Sequence, residues 1–256
     1  MPFAPNARHA PDYDATTAEF LGLLDAHGVS HAVLVQPSFL GTDNSFMCAA
    51  LRAHPQRLCG VAVVAPGTPF ESLRELAAAG VCGLRLNLVG LPLPDLSQPA
   101  WQALLADARR LGWHVEVHRE SGDLPVVGQA VLDAGCRLVV DHFGRPRGDT
   151  AADAGFAWLL RAAAQGRTWI KLSAAYRNWP DPLGAEACRA AQSLLDACGP
   201  QRLLWGSDWP HTQHRALASY AQSRAALDRW IPDPAARRRI LVDTPAALFF
   251  DSSKEA

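Results

Sequence analysis

HVEVHR, residues 114–119, sets Val115 and Val117 against His114, Glu116 and His118. Successive side chains of a strand point to opposite faces, so this segment reads as a strand with one apolar and one polar face. GLRLNL (83–88) repeats the pattern, its leucines opposing Arg85 and Asn87, and TWIKLS (168–173) sets Ile170 and Leu172 against Lys171 and Ser173. A parallel sheet covered by helices on both faces would make its strands nearly continuous in apolar residues. A barrel instead has its helices outside and room for polar side chains to converge at its inner mouth. The three segments together predict an α/β fold of the (β/α)8 TIM-barrel type.

The rest of the chain agrees with that period. Strand-like runs recur at HAVLVQP (31–37), LCGVAVV (58–64), RLVVDH (137–142) and LLWGSDW (203–209), which makes seven with the three above. Between them lie amphipathic segments, the β-α alternation of a parallel sheet. In SQPAWQALLADARRLG, Trp101, Leu104, Leu105, Ala108 and Leu111 share one helical face, with Ser97 as N-cap and Gly112 as the stop. Comparable helices are expected near 14–27, 43–54, 69–79, 124–134, 153–165, 183–198 and 214–230. No linker of disordered composition interrupts the series, so residues 1–256 read as a single barrel domain.

Composition narrows the function. A 49 % hydrophobic content supports a large core, and a net charge of −1 without long like-charge runs points away from nucleic-acid and membrane partners and towards a small-molecule ligand. The six cysteines are scattered, as buried reduced thiols would be. The start has no signal-peptide pattern and no apolar run reaches transmembrane length, so a soluble cytoplasmic protein is expected. There is no G-x-S-x-G, P-loop or G-x-G-x-x-G motif, which leaves serine-hydrolase, nucleotide-triphosphate and dinucleotide chemistry without support.

Barrel enzymes place their active sites at the C-terminal ends of the strands. Gln36, Asn87, His118, His142, Ser173 and Asp208 all fall near such ends. Asp208 shares the parity of Leu204 and Gly206 and is a candidate base or metal ligand, with an N-cap or ion-pair role as the alternative. Of the neighbours Asp141 and His142, parity lets one face the interior; His142 is the choice, because an imidazole beside Asp208 can polarise a carbonyl or bind zinc. Arg85 and Arg145 are candidates for gripping a carboxylate, or else salt-bridge partners. His118 is a substrate or metal contact, with Glu116 placed to orient it, and Lys171 fits an internal ion pair better than a Schiff base. His211, just past Asp208, suits either a substrate contact or a helix start, whereas His9, His31 and His214 read as surface or structural.

DHFGRP (141–146), GLRLN (83–87), WGSDWPH (205–211) and LVDTPAALF (241–249) together resemble the amidohydrolase superfamily, in the branch of 2-pyrone-4,6-dicarboxylate lactonase and related lactonases. The resemblance implies that Asp208 activates water, that His142 polarises a lactone carbonyl, and that Arg85, Arg145 and Arg177 hold substrate carboxylates. It also shows departures. His118 stands where the pyrone lactonase has a tyrosine, and NLVGLPLP lacks the basic residues that follow there, which points away from pyrone dicarboxylate itself. The His-x-His strand that opens the family is missing, so the barrel's first strand is expected to be encoded upstream of Met1, or the chain to be a shortened and inactive homologue.

Three functions follow. The first is a lactone hydrolase acting on a small carboxylated substrate, with Asp208 and His142 catalytic, Arg85, Asn87, His118, Arg145, Arg177 and His211 binding substrate, and no cofactor required. The second is a metal-dependent hydrolase or decarboxylase holding zinc on His118, His142 and Asp208. The third is an inactive barrel that only binds a small molecule or partner.

Overall fold

The structure is a computed structural model that describes residues 3–5, 7 and 9–250. Strands β1 (Ala32–Val35), β2 (Leu58–Ala62), β3 (Val81–Asn87), β4 (His114–His118), β5 (Arg137–Val140), β6 (Thr168–Leu172) and β7 (Leu203–Trp205) follow one another in chain order within the sheet. Helices α1 (Thr17–Ala26), α2 (Ser45–Ala53), α3 (Phe70–Ala78), α4 (Pro99–Arg110), α5 (Leu124–Asp133), α6 (Ala154–Ala164), α7 (Ala185–Cys198), α8 (Tyr220–Trp230) and α9 (Pro234–Arg238) alternate with them or follow β7. This is the expected α/β class, and all seven anticipated strands are present among the described residues.

Two units make up the chain, one of Met1–Asn87, Pro94–Glu116 and Ala134–Cys136, the other of Leu88–Leu93, Val117–Asp133 and Arg137–Ala256. In the first, β1 pairs in parallel with β2 and β2 with β3. Helix α2 seats Met47 and Leu51 against Gly60 of β2, where any larger residue would collide with the Leu51 side chain. Gly83 of β3 similarly leaves room for the buried ring of His114. Helix α4 buries Leu104, Leu105 and Ala108. It starts at Pro99 rather than from a Ser97 cap, because the Ser97 amide and hydroxyl both bond to Asp95. Gly112 stops it with φ +66°, as its sequence position suggested.

In the second unit, β5 pairs in parallel with β6 and β6 with β7. Val139, Trp169, Leu204 and Leu248 form one buried cluster, with Phe249 packed against it. Each such aliphatic side chain removed from water contributes about 2 kcal/mol. Helix α6 is capped by Asp153, whose carboxylate accepts from the Phe156 amide, and its Gly155 lies directly on the Ser121 backbone. Helix α8 starts at Tyr220, six residues later than its pattern suggested. Residues 214–219 run through turns instead, and the Ser219 hydroxyl, accepting from the Gln222 amide, caps the helix where it does begin. Helix α9 was not anticipated, although Asp233 as N-cap and Pro234 at the first position announce it. None of the six cysteines is in a disulfide, and burial pushes the Cys198 thiol up to about 12. No helix among the described residues is long and apolar enough to cross a membrane.

Candidate active site

The C-terminal ends of β5, β6 and β7 carry a concentration of unusual backbone. His142, Phe143, Arg145, Ala174, Asp208 and His211 all have φ between +47° and +60°. Non-glycine residues in this region cost about 1–3 kcal/mol each, and such strain gathers where side-chain placement matters more than local stability. Here it also sets aside the strand alternation on which the parity reading relied. Strand β5 ends at Val140, so Asp141 and His142 lie in the turn beyond it; both side chains converge, and parity does not force a choice between them. Strand β7 ends at Trp205, so Asp208 likewise takes its direction from the loop rather than from the strand.

Asp208 is the hub of the second unit's polar cluster. Its Oδ2 accepts the Tyr176 hydroxyl at 2.5 Å and Arg177 Nε at 2.9 Å. Arg177 Nη2 stands 2.8 Å from the same oxygen and donates to the Thr212 carbonyl, which ties the guanidinium to the loop. The other oxygen, Oδ1, lies 3.7 Å from His142 Nε2. Burial alone would raise the Asp208 pKa, but the charges of His142 and Arg177 and the hydrogen bonds from Tyr176 and Arg177 outweigh it and hold the carboxyl below its ordinary range. Asp208 is therefore a carboxylate with one anchored oxygen and one directed at an imidazole.

His142 is fixed from several sides. Its Nδ1 is 2.8 Å from Ser173 Oγ, its carbonyl accepts from Asn178 Nδ2, and its ring meets the His118 ring edge to face at 4.8 Å. His211 Nδ1 is 3.2 Å from the Tyr176 hydroxyl, and burial lowers the His211 pKa, which favours the neutral ring. His214 packs its ring on Tyr176 with centroids 5.0 Å apart, so it belongs to this cluster and not to the plain surface. Burial, reinforced by the nearby Arg177 charge, pulls the Arg145 guanidinium below its ordinary value.

The structure thus brings together Asp208, His142, His118, Arg177 and His211 from the residues singled out in the sequence. Arg85 and Asn87 belong to the first unit, where Arg85 Nε is 3.4 Å from the fully buried Glu116 and Nη1 donates to the Gln36 carbonyl. Glu116 accordingly partners Arg85. Gln36, another strand-end candidate, spends its amide on the carbonyls of Gly41 and Asp43, a structural use. Tyr176 escaped the sequence reading, its only signal being its place beside Arg177 in the turn after β6.

His118, Asp141 and His142 offer ligand atoms that all lie within 4.8 Å of one another. Two imidazoles and a carboxylate are zinc-type donors, so the residue types fit such an ion. The carboxylate in this group is Asp141, while Asp208 is engaged with Tyr176 and Arg177. Asp141 Oδ1 also sits 3.1 Å from Lys171 Nζ, the internal pair expected of that lysine and the contact a metal ion would have to displace.

The sequence profile of the amidohydrolase family matches residues 3–250. The chain belongs to the amidohydrolase family. It is 30 % identical over 260 residues to a 4-sulfomuconolactone hydrolase of Rhizobium radiobacter, an alignment spanning 97 % of this chain and 85 % of that protein. It is also 30 % identical to a 2-pyrone-4,6-dicarboxylate hydrolase of Comamonas testosteroni, over 98 % of this chain and 85 % of that one. A solved structure from Pseudomonas putida, provisionally assigned as a 2-pyrone-4,6-dicarboxylic acid hydrolase, superposes with a TM-score of 0.89 at 42 % identity, covering 98 % of this amidohydrolase and 92 % of that chain. The branch to which the motifs pointed is therefore the branch in which this amidohydrolase falls.

Proposed function

We propose that this amidohydrolase is a cytoplasmic hydrolase that opens the ring of a small carboxylated lactone, with Asp208 as the base. The observation that carries the reading is the asymmetry of Asp208, whose Oδ2 is held by Tyr176 and Arg177 while Oδ1 faces His142. A carboxylate kept ionised and aimed in this way can take a proton from water. The water oxygen then bonds to the lactone carbonyl carbon, and His142 with a neighbouring arginine stabilises the oxyanion. Collapse breaks the ring C–O bond, and the departing oxygen receives the proton from Asp208. Of the two candidate arginines in the second unit, Arg145 is the better carboxylate grip, since Arg177 spends Nε and Nη2 on Asp208 and Thr212. His118 and His211 complete the substrate contacts.

A second reading is supported by the donor group of His118, Asp141 and His142, which would hold a zinc-class ion. Such an ion, when bound, supplies Lewis-acid polarisation of a carbonyl oxygen. The cationic side chains already present can perform that polarisation, so the first reading requires no cofactor. The test is Asp208→Asn assayed on 4-sulfomuconolactone, 2-pyrone-4,6-dicarboxylate and related carboxylated lactones. Loss of kcat by roughly 10²-fold or more, the contribution expected of a general base, supports the assignment. A variant retaining wild-type rates overturns it, and a folded wild type that hydrolyses no lactone favours a protein that only binds.

A further inference from the structure

We propose that Tyr176 is a positioning residue that sets the aim of the Asp208 carboxylate and the tautomer of His211 together, leaving His211 Nε2 as an acceptor for a hydroxyl donor in the bound substrate. A phenol carries one proton. Its partner at 2.5 Å, Asp208 Oδ2, is an acceptor only, so the proton lies on that bond. The Tyr176 oxygen can then meet His211 Nδ1, 3.2 Å away, only as an acceptor, and Nδ1 must carry the hydrogen. In a neutral imidazole this places the lone pair on Nε2. His211 is 4 % exposed, and no hydrogen bond among the described residues reaches its Nε2. A buried acceptor is costly to leave unmet, which points to a ligand atom that meets it. The same hydroxyl, with Arg177, occupies Oδ2 of Asp208 and so leaves Oδ1 as the oxygen that faces His142.

Tyr176 acts through Asp208 and His211. The kinetic half of the inference rests on the lactone hydrolase reading, and the tautomer half does not. Nitrogen-15 NMR of the labelled wild-type protein at neutral pH, with the His211 ring signals identified by their loss in His211→Asn, reads the tautomer without any substrate. Protonated Nδ1 and unprotonated Nε2 are expected, and the pattern is expected to be lost in Tyr176→Phe. On whichever lactone the wild type hydrolyses fastest, Tyr176→Phe should lower kcat on the order of 10²-fold, the effect of a misaimed group, while KM changes less than about threefold. A wild-type His211 protonated at Nε2 overturns the proposal, as does a Tyr176→Phe enzyme with wild-type kcat and an unchanged His211 signal. If no lactone is hydrolysed by the wild type, the lactonase reading falls and the NMR spectrum alone decides this one.

Discussion

Replacing Lys171 by methionine tests whether an ammonium already fills the place of a metal ion. Asp141 is 2 % exposed and Lys171 13 %, and their charged atoms are 3.1 Å apart. At an effective dielectric of about 20, that separation gives an attraction of about 5 kcal/mol. Removing one partner of a buried pair costs roughly 3–5 kcal/mol, because the other charge is left uncompensated. The slight exposure of Lys171 favours the lower end, so a loss of about 3 kcal/mol is expected for Lys171→Met. At about 2–4 °C per kcal/mol for a chain of this size, the melting temperature should drop by about 6–12 °C. Adding Asp141→Asn should recover about 2 kcal/mol of that loss, because no uncompensated buried carboxylate is then left. Lys171→Met should also gain zinc affinity, since the Lys171 ammonium then no longer competes for the Asp141 carboxylate in the donor group of His118, Asp141 and His142. Zinc at a hundredfold excess over its Kd would restore about 2.7 kcal/mol in Lys171→Met and nothing in Lys171→Met/Asp141→Asn. Calorimetric melts with and without zinc read every arm. A Lys171→Met protein within about 1 kcal/mol of wild type, with no zinc response of its own, refutes the reasoning.

Two further predictions concern the scaffold. Asp153 caps α6 and also accepts from Ser121 Oγ and the Arg147 amide; burial opposes its ionisation, but these hydrogen bonds prevail and lower its pKa. Its contribution is therefore present above the unfolded carboxylate value near 4 and is lost as pH falls through the lower folded value. Asp153→Ala should cost about 1–2 kcal/mol at neutral pH in urea titrations. The gap to wild type should close in strongly acidic buffer, and a gap that stayed constant across that range would contradict the assignment. Gly155→Ala would drive a methyl group into the Ser121 backbone, which cannot swing aside as a side chain can, so a loss of about 1–3 kcal/mol is expected. An alanine variant as stable as wild type in the same titration would show that the α6 contact is looser than the structure has it.

The strand positions, the helix order and the residues Asp208, His142, His118, Arg177 and His211 were legible because period-2 and period-3.6 patterning and strand-end polarity are local properties of the chain. Those rules stop where regular dihedrals stop. Asp141 and His142 lie beyond the last residue of β5, where a φ of +52° at His142 breaks the alternation, and both side chains consequently reach the same cluster. Helix α8 begins at Tyr220 and not at 214, because 214–219 form turns that an amphipathic pattern does not distinguish from helix.

Sequence by itself determined the α/β class and the family, and offered Asp208 as the residue to propose as base, because side-chain chemistry and hydrophobic period are written residue by residue. Tertiary structure alone decided the partners. Arg85 is drawn to Glu116, Lys171 to Asp141, and Tyr176 to Asp208 and His211. Each of these pairs joins residues 30 or more apart in the chain, which only a particular folding of the intervening turns can bring within hydrogen-bonding or ion-pairing distance.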